Sequence, residues 1–91
     1  MAVEHIVLAK PRDGVAEQKI LGLCREVEAH FDKIPGVISS SMGLTFKPGP
    51  SGFLYGVVVR LRDKQALDTY LPHPEHLAAG KKMQGVFSDF L

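Results

Sequence analysis

The residues best suited to chemistry gather in one short segment, Tyr70-Leu71-Pro72-His73-Pro74-Glu75-His76. An imidazole titrates near neutrality and is the commonest general acid or base. A phenol can donate a hydrogen bond to a developing oxyanion. Pro74 fixes the backbone between the two histidines and so helps to preorganise a site. Each residue also has a purely structural reading. His73, directly before a proline, suits a cap or turn. His76, one turn into a new helix, could be exposed or satisfied within the core. Tyr70 could be a core aromatic with its hydroxyl at the rim. His5 lies in a strand on the side of Val7 and Ala9, where it could line a site or be a hydrogen-bonded structural residue. His30, in the polar part of a helix, reads as solvated.

Other chemistries find less support. Two histidines three residues apart are too few for catalytic zinc, which usually takes three protein ligands. His5 or Glu75 could complete a set, but nothing requires it, and neither a metal nor an organic cofactor is expected. Gly49-Pro-Ser-Gly52 is proline-rich and precedes a strand, so it is no phosphate loop. Sequence order suggests no Ser-His-Asp or Cys-His arrangement. Cys24, the single cysteine, falls on an apolar helical stripe and reads as a small buried hydrophobe in a reducing compartment.

Several elements must position these residues. Val3 to Ala9 is a short apolar strand covered on both sides. From Val15 to Ile34 the pattern is helical: Ile20, Leu23, Cys24, Val27, Phe31 and Ile34 fall at spacings of three and four. Pro35-Gly36 ends that helix. Val37 to Phe46 is a second extended segment in which Gly43 suggests a bulge or bend. Lys47 to Gly52 is a loop. Phe53 to Arg62 is the clearest strand, with Phe53, Tyr55, Val57, Val59 and Leu61 on one face and Leu54, Gly56, Val58, Arg60 and Arg62 on the other. Asp63 caps a helix from Lys64 to Leu71, and a further helix starts near Pro74 and ends at Gln84 or Gly85. Val86 to Leu91 could begin a last strand that is short or missing.

The order β-α-β-β-α-(β) predicts an α+β fold, a ferredoxin-like split βαβ with an antiparallel sheet. Both helical layers cover one face. The first and third strands are apolar on both faces, so the other face would leave a large uncovered patch. Two copies paired about a two-fold axis cover it, which predicts a homodimer closing into an α/β barrel.

The whole chain bounds the rest. Its 91 residues make one domain, residues 1–91. A domain this small buries only about 60–65% of the surface its unfolded chain exposes. Yet 45% of the residues are apolar, an excess that favours a subunit interface. The net charge of +1 comes from scattered Lys and Arg, which excludes the basic stripe of a nucleic-acid binder. The start has no basic leader region, and its apolar run, Ile6 to Ala9, is far too short to span a membrane. A soluble, cytoplasmic protein is expected, with organelle targeting left open.

Three separated stretches, Glu4-His5-Ile6-Val7-Leu8, Ile34-Pro35-Gly36-Val37 and Tyr70 to His76, occur in an order that resembles the stress-responsive dimeric A/B-barrel family, often called Dabb. The resemblance covers nearly the whole chain. It extends to plant polyketide cyclases of the olivetolic acid type. It implies a cavity between sheet and helices and a cofactor-free intramolecular aldol condensation of a linear polyketide-CoA. His76 would be the base and Tyr70 its hydrogen-bonding partner. His5, Val7, Val27, Tyr55, Val57 and His73 would contact a hydrophobic or polyketide-like ligand. The chain departs from the cyclases at Tyr55, where they have a histidine, and at Val27, where they have a tyrosine. The alternative is a non-catalytic stress-responsive dimeric barrel whose His-Pro-x-His segment is structural.

Overall fold

The computed structural model describes residues 1–44 and 52–91. Strands β1 (Val3–Pro11), β2 (Val37–Leu44), β3 (Tyr55–Leu61) and β4 (Phe87–Phe90) form one antiparallel sheet in the order β2-β3-β1-β4. Helices α1 (Glu17–Asp32), α2 (Lys64–Tyr70) and α3 (Pro74–Gln84) complete the chain. This is the ferredoxin-like α+β architecture expected from the order of elements. The expected loop, apart from Gly52, and the end of the second strand at Phe46 lie outside the described residues.

The α1 stripe is the centre of the core. Ile20, Leu23, Cys24, Val27, Phe31 and Ile34 are all buried against Met42, Tyr55, Val57, Val59 and Leu61 of the sheet. Each large side chain so buried contributes roughly 1.5–3 kcal/mol. The helix is shorter than its apolar pattern at both ends, because Val15 and Ile34 pack onto the core from the flanking turns. Beyond it Gly36 turns the chain into β2 with a φ of 91°, a left-handed conformation that glycine adopts at no steric cost. The Gly36 carbonyl accepts from Arg62 N–H at 2.9 Å, tying the turn to the end of β3.

Register decides what faces what. His5, Val7 and Ala9 pair with Val59, Val57 and Tyr55, and this face lies under the helices. Ile6 pairs with Val58 on the opposite face, where Ile6 is 58% exposed and Leu8 39%. Gly43 pairs regularly with Gly56. The bulge expected there occurs instead between Val37 and Ser39. At the other edge β4 has only four residues, and the bonds continue one residue further: Leu91 N–H donates to Leu8 O (2.8 Å), and Leu8 N–H donates to Leu91 O (2.9 Å).

The expected break between α2 and α3 spans Leu71 to His73, where His73 N–H donates to Tyr70 O (3.1 Å), and both helices are capped at their starts. Ala66 N–H donates to Asp63 Oδ1 (2.8 Å) at the start of α2. At the start of α3 the Glu75 N–H donates to His73 Nδ1 (3.1 Å), with Pro74 in the first turn where its missing N–H costs nothing. No described helix is long and apolar enough to cross a membrane.

Candidate functional site

His5, Tyr70 and His76 come from β1, the last turn of α2 and the first turn of α3, and they converge beneath the helices. His5 Nδ1 and the Tyr70 hydroxyl share a hydrogen bond of 3.2 Å. The Tyr70 and His76 rings are 4.5 Å apart between centroids, and those of His5 and His76 6.3 Å. They sit in one cleft of about 190 Å³. Val7 and Val57 form its floor on the sheet, and Phe31, Gly80, Met83, Gln84 and Phe90 complete its walls. The cleft is mostly apolar, with its polar groups concentrated in the two imidazoles and the phenol.

His76 Nδ1 lies 2.7 Å from the Leu71 carbonyl oxygen. A carbonyl only accepts, so Nδ1 carries a proton. In the neutral ring Nε2 is then left with its lone pair, as a general base requires. The Phe31 ring stacks on His76 at an interplanar angle of 25° and 6.1 Å between centroids.

Burial holds the Tyr70 phenol far above its ordinary range, so it stays protonated and acts as a donor. His5 is lowered, first by burial and then by the nearby His76. A lowered histidine pKa means that the unfolded chain takes up a proton first. The His5 contribution therefore leaves stability unchanged above the ordinary value of 6.5 and erodes it as the pH falls below that. Glu75 has the opposite sign. The His30 hydrogen bond, and more weakly Lys33, lower its carboxyl. Its contribution is present above the ordinary carboxyl value and is lost as the pH falls through the lowered one.

The other candidate residues are placed elsewhere. Val27 is fully buried at the centre of the α1 stripe and does not reach the cleft. Tyr55 pairs with Ala9, four residues from His5 along β1, about 13 Å at ~3.3 Å per residue. It packs on Phe87 and borders a separate shallow groove with Val15 and Leu54. His73 caps α3 and lines no part of the cleft. His30, expected to be solvated, is half-buried and donates from Nδ1 to Glu75 Oε2 at 3.0 Å. Burial pushes the Cys24 thiol up, with Glu28 adding to the effect, so the thiolate is disfavoured. Among the described residues no three His, Cys, Asp or Glu side chains gather as metal ligands.

Of the cleft residues not proposed as site residues from sequence, Phe31, Met83 and Phe90 are apolar positions indistinguishable from core, and Gln84 closes the last turn of α3. Gly80 carried a usable signal. It lies one turn after His76, hence on the same helix face, and a Cβ there would meet nothing within 4 Å.

A sequence profile of the stress-responsive A/B barrel domain matches residues 3–91. The chain belongs to this family. Among solved structures, a dimeric ferredoxin-like protein of unknown function from Bacteroides fragilis is similar at 26% identity, with a TM-score of 0.74 over 99% of this chain and 90% of that one. An Arabidopsis thaliana protein is similar at 23% identity, with a TM-score of 0.87 over 98% and 88%. A hydroxynitrile lyase from Passiflora edulis shares the fold at 14% identity, with a TM-score of 0.84 over 99% and 87%. A search of curated protein sequences found no match.

Proposed function

We propose that this A/B-barrel protein binds a small, largely apolar carbonyl compound and performs carbon-acid chemistry on it without a cofactor. The reaction that suits the cleft best is the intramolecular aldol closure of a linear polyketide thioester. The observation that carries this reading is the convergence of His5, Tyr70 and His76 on one apolar cleft. His76 Nε2 would remove a proton from a carbon flanked by two carbonyls. The enolate carbon would attack a ketone further along the same chain. The resulting alkoxide would recover the proton from the imidazolium, and loss of water would follow. His5 in its Nδ1–H form donates to the Tyr70 oxygen, which frees the phenolic hydrogen for the enolate oxygen. General base catalysis of this kind contributes roughly 10²–10⁴-fold. Folding the substrate onto itself in a shaped cleft can contribute at least as much.

Co-crystallisation with 2,4-dihydroxybenzoate, a stand-in for a cyclised aromatic product, tests the site. The carboxylate or ring hydroxyls should lie against His76 and Tyr70, with the ring over Val7 and Val57. The non-catalytic alternative expects an empty cleft and no turnover of any β-polyketide thioester. That pair of results would remove the cyclase reading and leave the family assignment standing.

The assembly we infer is a homodimer in which the open sheet faces meet. Ile6, Leu8 and Val58 form an apolar patch there that no helix covers, and similar structures are described as dimeric. Light scattering at micromolar concentration should return about twice the 10.0 kDa chain mass. Changing Ile6 to aspartate should halve it, because a carboxylate would be buried within the apolar patch of each copy. A wild-type monomer would sink the barrel.

A further inference from the structure

Neighbouring residues on α1 and α3 meet in two adjacent pairs. His30 donates from Nδ1 to Glu75 Oε2 at 3.0 Å, with side-chain exposures of only 17% and 27%. One residue further along each helix, Phe31 stacks on His76. Glu75 is also held through its backbone, since its N–H donates to the His73 cap. Glu75 is therefore fixed at both ends: its main chain belongs to the first turn of α3, and its carboxylate is bound to α1.

We infer that the His30–Glu75 pair positions His76. It holds the first turn of α3 against α1, which keeps Phe31 on the face of the imidazole. The ring is thereby kept where Nδ1–H reaches Leu71 O. This inference rests on His76 being the base, and it assigns Glu75 and His30 as positioning residues that touch no ligand. The physical reason is geometric. The first turn of a helix lacks intrahelical partners for its N–H groups and frays most easily. His76 sits in that turn, so without an external tie its ring samples other rotamers. A free imidazole favours the opposite tautomer, with the proton on Nε2, and that form has no lone pair on the nitrogen assigned as the base.

The tautomer can be read without a substrate. Nitrogen-15 shifts of the neutral His76 ring in the full chain should show the Nδ1–H form dominant in the wild type. Glu75→Ala should convert it to a mixture containing the Nε2–H form, and His30→Ala should do the same from the other side. Glu75→Gln should restore the wild-type pattern, because the amide oxygen still accepts from His30 Nδ1–H. With a β-polyketide thioester that turns over, Glu75→Ala should lower kcat by up to roughly 10²-fold, with KM little changed. A Glu75→Ala protein that melts earlier yet keeps the wild-type His76 tautomer would overturn the inference, since its role would then be stability alone. So would a Glu75→Gln protein that behaves like Glu75→Ala. Absence of turnover in the wild type would speak against the cyclase reading and leave the tautomer result to stand by itself.

Discussion

His76→Ala should remove most turnover of a β-polyketide thioester while leaving fold and assembly intact. The expected loss is roughly 10²–10⁴-fold, about 3–5 kcal/mol of barrier. The side chain is half-buried, and its hydrogen-bond partner among the described residues is the Leu71 carbonyl, next to solvent, so its removal strands no deeply buried group. Tyr70→Phe should also slow the reaction, but by less. Its hydroxyl is shared with His5 Nδ1, and its loss leaves a half-buried imidazole nitrogen without that partner, at about 1–3 kcal/mol of stability. His73→Ala is the control. It removes the acceptor for Glu75 N–H and should lower the melting temperature with a smaller effect on rate. Steady-state kinetics and thermal melts on the three variants separate these outcomes. Equal rates in wild type and His76→Ala would end the case for a base at this position.

Gly36→Ala should be among the most damaging single methyl groups that can be added to the described chain. Two costs combine. The φ of 91° is one that L side chains rarely adopt, and the new Cβ would lie 2.6 Å from the Ala66 Cβ. Ala66 is buried on α2, and a Cβ cannot swing aside without moving its helix. Backbone strain and overpacking together cost about 2–5 kcal/mol. For a domain of this size that lowers the melting temperature by on the order of 10–30 °C. Ala66→Gly separates the two terms. In the double variant the steric part is relieved and the φ strain remains, so it should be more stable than the sum of the single effects implies. Simple additivity would show that the contact relaxes freely and that conformation alone accounts for the loss.

The parts legible in the sequence were those with strong periodicity. Ile20 to Ile34 at helical spacing and Tyr55 to Leu61 in alternation place their side chains by geometry alone. That placed His5 beneath the helices and Ile6 on the open face. Tyr70 and His76 were visible because polar chemistry stood out beside Pro72 and Pro74. The charged neighbours Glu28 and Asp32 make His30 look solvated, although it is half-buried against Glu75. Yet it lies three residues after Val27 and four before Ile34, on the edge of the same stripe, and that spacing was the available signal. The resemblance puts Val27 in a pocket, whereas its place at the centre of the stripe seals it in the core. The resemblance also puts Tyr55 at the site, whereas its register with Ala9 sets it four residues along the sheet from His5. Periodicity reports which face a side chain takes. It does not report how far along a strand that face carries it from another residue.

The acceptor that fixes the protonation of His76 is the main-chain carbonyl of Leu71, the cap residue at the end of α2. Helix ends leave such carbonyls without intrahelical partners, and the following Pro72 and Pro74 have no N–H to offer. Every amino acid carries the same carbonyl, so no exchange of the residue at position 71 can delete this acceptor. The leucine side chain, 41% exposed, can drift in evolution while the polarity of the imidazole stays constant. What would disturb it is a change in spacing: one residue inserted or lost between Leu71 and His76. The site is thus tolerant of substitution at position 71 and intolerant of length change beside it, so related chains that keep this chemistry should vary in the letter there but never in the count.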